Sequence, residues 1–217
     1  MRDKSHEKIV YFVRHGQSEG NITPVFQSVE SPLTEHGRDQ ADKVAERVSR
    51  LSFEVLITSP QPRTRETADA ISKATGKHPE RCELFVERVK PSGLLGKSYD
   101  DPEADILWKQ WEQSLHTPGM RAEDGENFDD LVARAVRALD YLKQRPEKDI
   151  VVVTHGYFLR TIIAYTLLGD TLTGDSFKSF QDRIAMENTG LSVLTYGTAY
   201  EGTAWRLWIY NDHAHLG

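Results

Sequence analysis

The sequence predicts an α/β fold built on a central, mostly parallel sheet, and three observations predict it. Two apolar runs, "IVYFV" at 9–13 and "DIVVVT" at 149–154, are short, β-branched or aromatic, and apolar at nearly every position. That is the pattern of strands covered on both faces. Amphipathic stretches with helical spacing lie between such runs, and the run at 149–154 feeds directly into one of them, beginning at Gly156.

Each element has its own signal. After the strand at 9–13, Ala41, Val44, Ala45, Val48 and Leu51 recur at helical spacing. Thr34 or Ser31 is placed to cap that helix, whose apolar face would lie on the sheet. "FEVLIT" at 53–58 reads as a further strand that stops at Ser59-Pro60. Phe128, Leu131, Val132, Ala135, Leu139 and Leu142 form the fullest stripe, a helix over 127–144. The helix from Gly156 carries Leu159, Ile162, Ile163 and Leu167 and stops at Gly169, a residue suited to a helix C-terminus. "LSVLTY" at 191–196 and "AWRLWIY" at 204–210 read as strands joined by a turn over 197–203. The stretch from about 88 to 126 breaks the alternation. In it Asp101 caps, and Pro102 opens, a short helix reaching about Leu115. We read it as an excursion over the active-site end of the sheet, within a single domain spanning 1–217.

Composition narrows the function. Lys and Arg number 27 against 33 Asp and Glu, a net charge of −6, so nothing chain-wide suits nucleic acid and any anion site must be local. The one cysteine, Cys82, allows no intramolecular disulfide and no multi-cysteine metal site, which fits a reducing compartment. "MRDKSHEK" lacks the apolar run of a signal peptide, and no stretch approaches the ~20 apolar residues of a membrane span. The expectation is a cytoplasmic protein with no membrane partner, in which a homodimer through a sheet edge or exposed helix is compatible with the pattern.

"VYFVRHG" and "VVVTHG" each place a His-Gly pair at the end of an apolar strand. Ligands of open α/β sheets bind at the carboxyl ends of parallel strands, so His15 and His155 can share one crevice. Arg14 precedes His15, and Arg63 follows the strand at 53–58. Guanidinium groups grip phosphate oxygens through paired, charge-assisted hydrogen bonds at any working pH. Two histidines and two arginines at strand ends describe a phosphoryl pocket. Taken singly each has a plainer reading: a satisfied strand-end histidine, or, for Arg63 as for Arg65, a solvated helix-face charge.

"VRHGQSEGN", "SPLTEHGRDQA", "ITSPQPRTRETA" and "VVVTHG" occur in one order and spacing, and over roughly residues 9–195 the chain resembles the histidine phosphatase superfamily, the phosphoglycerate mutase-like proteins. The resemblance implies a three-layer α/β/α sandwich and an enzyme that needs neither metal nor cofactor. It implies that His15 is the nucleophile that becomes a phosphohistidine, and that Arg14, Arg63 and His155 surround the phosphoryl oxygens. Asn21 matches the asparagine that closes the first motif and contacts phosphate, and Ser18 stands at the family's serine or threonine. Some branches use an aspartate directly after the second histidine, where this chain has Gly156. The acid is then a glutamate after the second arginine: Glu87, with Glu83 as its rival. Its task is to protonate the departing alkoxide.

The expected function is metal-independent hydrolysis of a small phosphorylated metabolite. The alternative is phosphoryl transfer of the phosphoglycerate mutase type, and a third is a non-catalytic phosphate-binding or interaction module. Mutases of this family carry a loop resembling "RHYGGLTGLNK", whereas this chain reads "RVKPSGLLGKS", without the histidine and tyrosine. The remaining histidines read as peripheral: His36, His78 and His116 on the surface, and His213 and His215 in a frayed tail. Trp108 and Trp111 suit a core or a substrate mouth, and Lys97 and Ser92 are loop candidates for the rest of the substrate.

Overall fold

The computed structural model of the chain describes residues 6–26, 29–199 and 202–217. Six strands form one sheet: β1 (His6–Arg14), β2 (Val55–Thr58), β3 (Pro79–Arg81), β4 (Asp149–Thr154), β5 (Leu191–Ala199) and β6 (Gly202–Asp212), in the order β3-β2-β4-β1-β5-β6. The four strands from β3 to β1 are parallel, and β5 and β6 add an antiparallel edge. β4 lies between β1 and β2, with Phe12 opposite Val152 and Ile57 opposite Val152 from the other side.

Seven α-helices accompany these strands among the described residues: α1 (Glu19–Ile22), α2 (Glu35–Val48), α3 (Pro62–Thr75), α4 (Pro102–Ser114), α5 (Phe128–Gln144), α6 (Gly156–Leu168) and α7 (Gly174–Arg183). The pleat sorts the central strands between two cores. Val10, Phe12, Ile150 and Val152 pack with Leu131, Leu139, Leu159 and Ile162 of α5 and α6. Ile9, Val13, Val151 and Val153 pack with Val44, Val48, Ala68 and Ile71 of α2 and α3. The result is a three-layer α/β/α sandwich, and residues 9–13 of β1 and 150–153 of β4 are apolar because both faces of these stretches are covered. No helix among the described residues is long and apolar enough to cross a membrane.

Local chemistry explains the helix starts. Thr34 caps α2 by accepting the Gly37 N–H at 2.9 Å, while Ser31 instead accepts the Gly20 N–H at 2.8 Å. Asp101 caps α4 through the N–H groups of Glu103 and Ala104, with Pro102 first in the helix. Residues 86–127 form a small separate core with Phe26, in which Leu94, Ala104 and Trp111 are buried against it. Three carboxylates rivet its entry loop: Glu126 accepts the Val89 N–H, Asp124 that of Ser92 and Glu123 that of Gly93.

Some elements differ from expectation. α3, α7 and the short edge strand β3 are additional to the sequence reading. β5 and β6 extend into the expected turn over 197–203, of which residues 200 and 201 lie outside the described residues. The tail is docked rather than frayed at His215, whose Nε2 lies 3.0 Å from Thr189 Oγ1, and His116 is half-buried because its backbone packs against Gly174.

Candidate active site

A cleft of about 300 Å³ opens at the carboxyl ends of β1 and β4, lined by Arg14, His15, Asn21, Arg63, Glu87 and Gly156 together with Arg88, Lys90, Tyr157, Arg160 and Met186. β1 delivers Arg14 and His15, and the parallel ladder continues one step past it, with the His15 N–H donating to the Thr154 carbonyl at 3.0 Å. Backbone contact then turns the chain away. A Cβ on Gly16 would sit 2.3 Å from the Gly37 carbonyl oxygen, and one on Gly37 would sit 1.9 Å from that of Gln17. The glycines of "RHG" and "EHG" are therefore one contact seen from two sides.

His15 is held in a defined tautomer. Its Nδ1 lies 2.6 Å from the Gly16 carbonyl oxygen, an acceptor only, so Nδ1 carries the proton. Nε2 is left with its lone pair, which accepts from Arg63 Nε at 3.2 Å. Burial, then the charges of Arg63 and Arg14, hold the imidazole well below its ordinary pKa and therefore neutral. Arg63 comes from the first turn of α3, where Pro62 occupies the position a proline tolerates. Burial lowers its pKa to about 10, which leaves it charged near neutrality.

Arg14 is anchored through Nη1 to the Met186 carbonyl, and its Nε is buried with no hydrogen-bond partner among the described residues. Its guanidinium lies so close to Gly156 that a Cβ there would meet Nε at 3.1 Å. The loop at 186–190 closes this side: Asn188 Nδ2 donates to the His15 carbonyl at 2.9 Å and the Thr189 N–H to that of Arg14 at 3.0 Å.

Glu87 lies at the N-terminus of α6. Its carboxylate accepts the N–H groups of Phe158 at 2.9 Å, Arg88 at 3.0 Å and Tyr157 at 3.2 Å. Burial pushes its pKa up, but the Arg88 N–H, the Arg63 charge and the Tyr157 N–H together outweigh burial and hold it below the ordinary value. α5 fixes this segment from behind, because Arg134 donates to the carbonyls of Leu84 and Val86 while pairing with Glu126 at 2.7 Å. Glu83 is exposed on a turn and does not line the cleft.

Two expected residues stand back from the cleft lining. Ser18 is fully buried, and its hydroxyl donates to Asn21 Oδ1 at 3.1 Å, so it orients Asn21 rather than facing the opening. His155 is also fully buried, edge-on to His15 with ring centres 5.1 Å apart. Its Nε2 lies 2.9 Å from Ser59 Oγ, and its Nδ1 has no partner among the described residues. Burial, then Arg63 and His15, lower its pKa well below the ordinary value.

The sequence reading missed several lining residues. Arg88 is sandwiched between Trp111 and Tyr157, 4.1 and 4.0 Å from their ring centres, and pairs with Glu112 at 2.8 Å. Arg160 donates to the carbonyls of Gly156, Gln181 and Ile184. As an arginine in an otherwise apolar helix, one turn past Gly156, it was the one with a sequence signal. Lys90 is brought down to about 8, by burial first. Lys97 pairs with Asp101 at 3.1 Å and does not line the cleft.

Fold and site together define an α/β protein with a histidine flanked by arginines at the strand ends. The chain belongs to the histidine phosphatase superfamily (branch 1), whose description it matches over residues 10–212. It is 33% identical to the probable phosphoglycerate mutase GpmB of Photorhabdus laumondii over 214 residues, covering 95% of this chain and 94% of that one. Its fold is similar to that of phosphoserine phosphatase from Entamoeba histolytica, solved in complex with 3-phosphoglyceric acid. The TM-score is 0.75 at 21% identity, over 97% of this chain and 100% of that one. A putative alpha-ribazole-5'-P phosphatase from Escherichia coli gives 0.75 at 18% identity, over 95% of this chain and 97% of that one.

Proposed function

We propose that the protein hydrolyses phosphomonoesters without a metal, through a phosphohistidine on His15. The observation that carries this reading is the state of His15: neutral, with Nδ1–H bound to its own Gly16 carbonyl and Nε2 at the cleft beside Arg63. The Nε2 lone pair attacks phosphorus, the ester P–O bond breaks, and the departing oxygen takes a proton from Glu87. Water then attacks phosphorus while Glu87 takes its proton, and the P–N bond breaks to restore the imidazole. Arg14, whose buried Nε has no partner among the described residues, and Arg63 meet the charge that spreads over the phosphoryl oxygens. The Asn21 amide nitrogen is available to them, since its Oδ1 is occupied by the Ser18 N–H at 2.9 Å.

Glu87 must gain a proton to act. In the free protein its pKa is held down in part by Arg63. A phosphoryl dianion against Arg63 and Arg14 offsets that pull, and burial then raises the carboxyl, so substrate binding itself arms the acid.

Hydrolysis of p-nitrophenyl phosphate in EDTA tests the reading, with His15→Ala as control and acid-labile phosphoryl-enzyme as the intermediate to trap. Glu87→Gln should slow alkyl phosphates more than p-nitrophenyl phosphate, whose leaving group needs little protonation. The kinship to the probable phosphoglycerate mutase supports a second reading, transfer to a hydroxy acid. Label passing from 3-phosphoglycerate to its 2-isomer instead of to water would favour it.

A further inference from the structure

A second groove, of about 170 Å³, adjoins the cleft and shares Arg63, Glu87, Arg88 and Lys90 with it. Its remaining lining differs in kind. Val29, Val89 and Leu95 bring apolar side chains that are 51%, 45% and 43% exposed, with Gln61, Ser92 and Asp124 at its polar margin. Single exposed aliphatics need no explanation, but three converging beside a catalytic cleft do. Val89 and Leu95 sit on the loop that the Glu126, Asp124 and Glu123 carboxylates rivet in place, so this wall of the groove is preformed. A dry cavity of about 150 Å³ suffices for a benzene ring.

The lining grades along this double site from mostly polar to mixed, with Arg63, Glu87, Arg88 and Lys90 bordering both halves. Arg14, Asn21, Gly156 and Arg160 line only the inner cleft, the three aliphatics line only the outer groove, and Glu87 belongs to both. A phosphomonoester has the same layout: a dianionic end, a bridging oxygen that needs a proton, and an alcohol carbon beyond it. We propose that the groove receives the leaving alcohol, and that the substrate class is a phosphomonoester of an apolar alcohol, a short alkyl chain or a single aromatic ring, rather than a compact sugar acid. This rests on the phosphatase reading of the inner cleft.

The test compares ethyl, butyl and hexyl phosphate, whose alcohols are nearly equal in acidity, with 3-phosphoglycerate. kcat/KM should rise about fourfold per added methylene until the groove is filled, and hexyl phosphate should exceed 3-phosphoglycerate. The hexyl-to-ethyl ratio should collapse towards one in Val89→Asp and Leu95→Asp, changes at exposed positions that the fold tolerates. A flat series, or preference for 3-phosphoglycerate, overturns the proposal while leaving phosphatase activity standing. Calorimetric titration with ethylphosphonate and hexylphosphonate reads the groove without turnover. Tighter hexylphosphonate binding with no hydrolysis of any ester would sustain the groove and overturn the phosphatase reading, and equal binding would overturn the groove.

Discussion

The corners after β1 and β4 are the same dipeptide on neighbouring parallel strands, yet they present their histidines in opposite ways. At the β1 corner Nδ1 of His15 is tied to the Gly16 carbonyl and Nε2 reaches the cleft. At the β4 corner Nε2 of His155 is tied to Ser59, Nδ1 is unpartnered among the described residues, and the ring has no exposed surface. The chain beyond each glycine makes the difference. Gly16 opens into a loop pressed on Gly37, whereas Gly156 starts α6 with His155 as its cap residue, its ring drawn down towards Ser59. One corner opens its histidine to the cleft and the other closes it in.

Under the proposed mechanism, removing the His15 imidazole should have the largest effect. His15→Ala should lower kcat by about 10⁴-fold or more, measured on p-nitrophenyl phosphate with folding checked by circular dichroism. His155→Ala should cost about 10²–10³-fold if Nδ1 meets a phosphoryl oxygen during turnover; a loss under about tenfold would make it only a prop for His15 and break the division of labour. Both imidazoles are kept neutral by burial, so their folded pKa values lie well below the 6.5 of the unfolded chain. Between those values the unfolded state binds more protons, and stability must fall as pH falls through that window. The loss is up to about 1.4 kcal/mol per histidine for each pH unit. Urea midpoints at pH 7.5 and 5.5 would show it, and each alanine variant should remove its own share. The smallest change is Ser59→Ala, which leaves His155 Nε2 without its partner and should lower kcat by about tenfold or less.

The elements legible in the sequence were those whose burial is uniform or strongly one-sided. β1 and β4 read as strands because both faces are covered, and α5 because its stripe faces one core. α3 has no continuous apolar stripe to read because its buried positions include Arg63, which lines the cleft, and Thr64 and Thr67, whose hydroxyls bond to nearby backbone. α7 buries only Gly174 and Phe177, and β3 is three residues at an edge. The same logic divides the site. Arg14, His15, Arg63, Glu87 and Asn21 lie in short motifs at element ends. The contributions of Asn188 and Met186 pass through an amide and a carbonyl from a loop near the end of the chain, and no local pattern announces a tertiary contact of that kind.

The position of β4 has a consequence for how the molecule comes into being. β1 and β2 are made first but are not neighbours; the gap between them is filled only by β4. A growing chain that has produced His15 and Arg63 therefore holds two strands with unpaired edges and no floor between them. The cleft cannot form until β4 slots in and brings His155 and the start of α6 with it, and the loop at 186–190, made later still, completes it. Such long-range pairing folds slowly, and a chain cut short before that strand would carry His15 and Arg63 with no cleft to hold them.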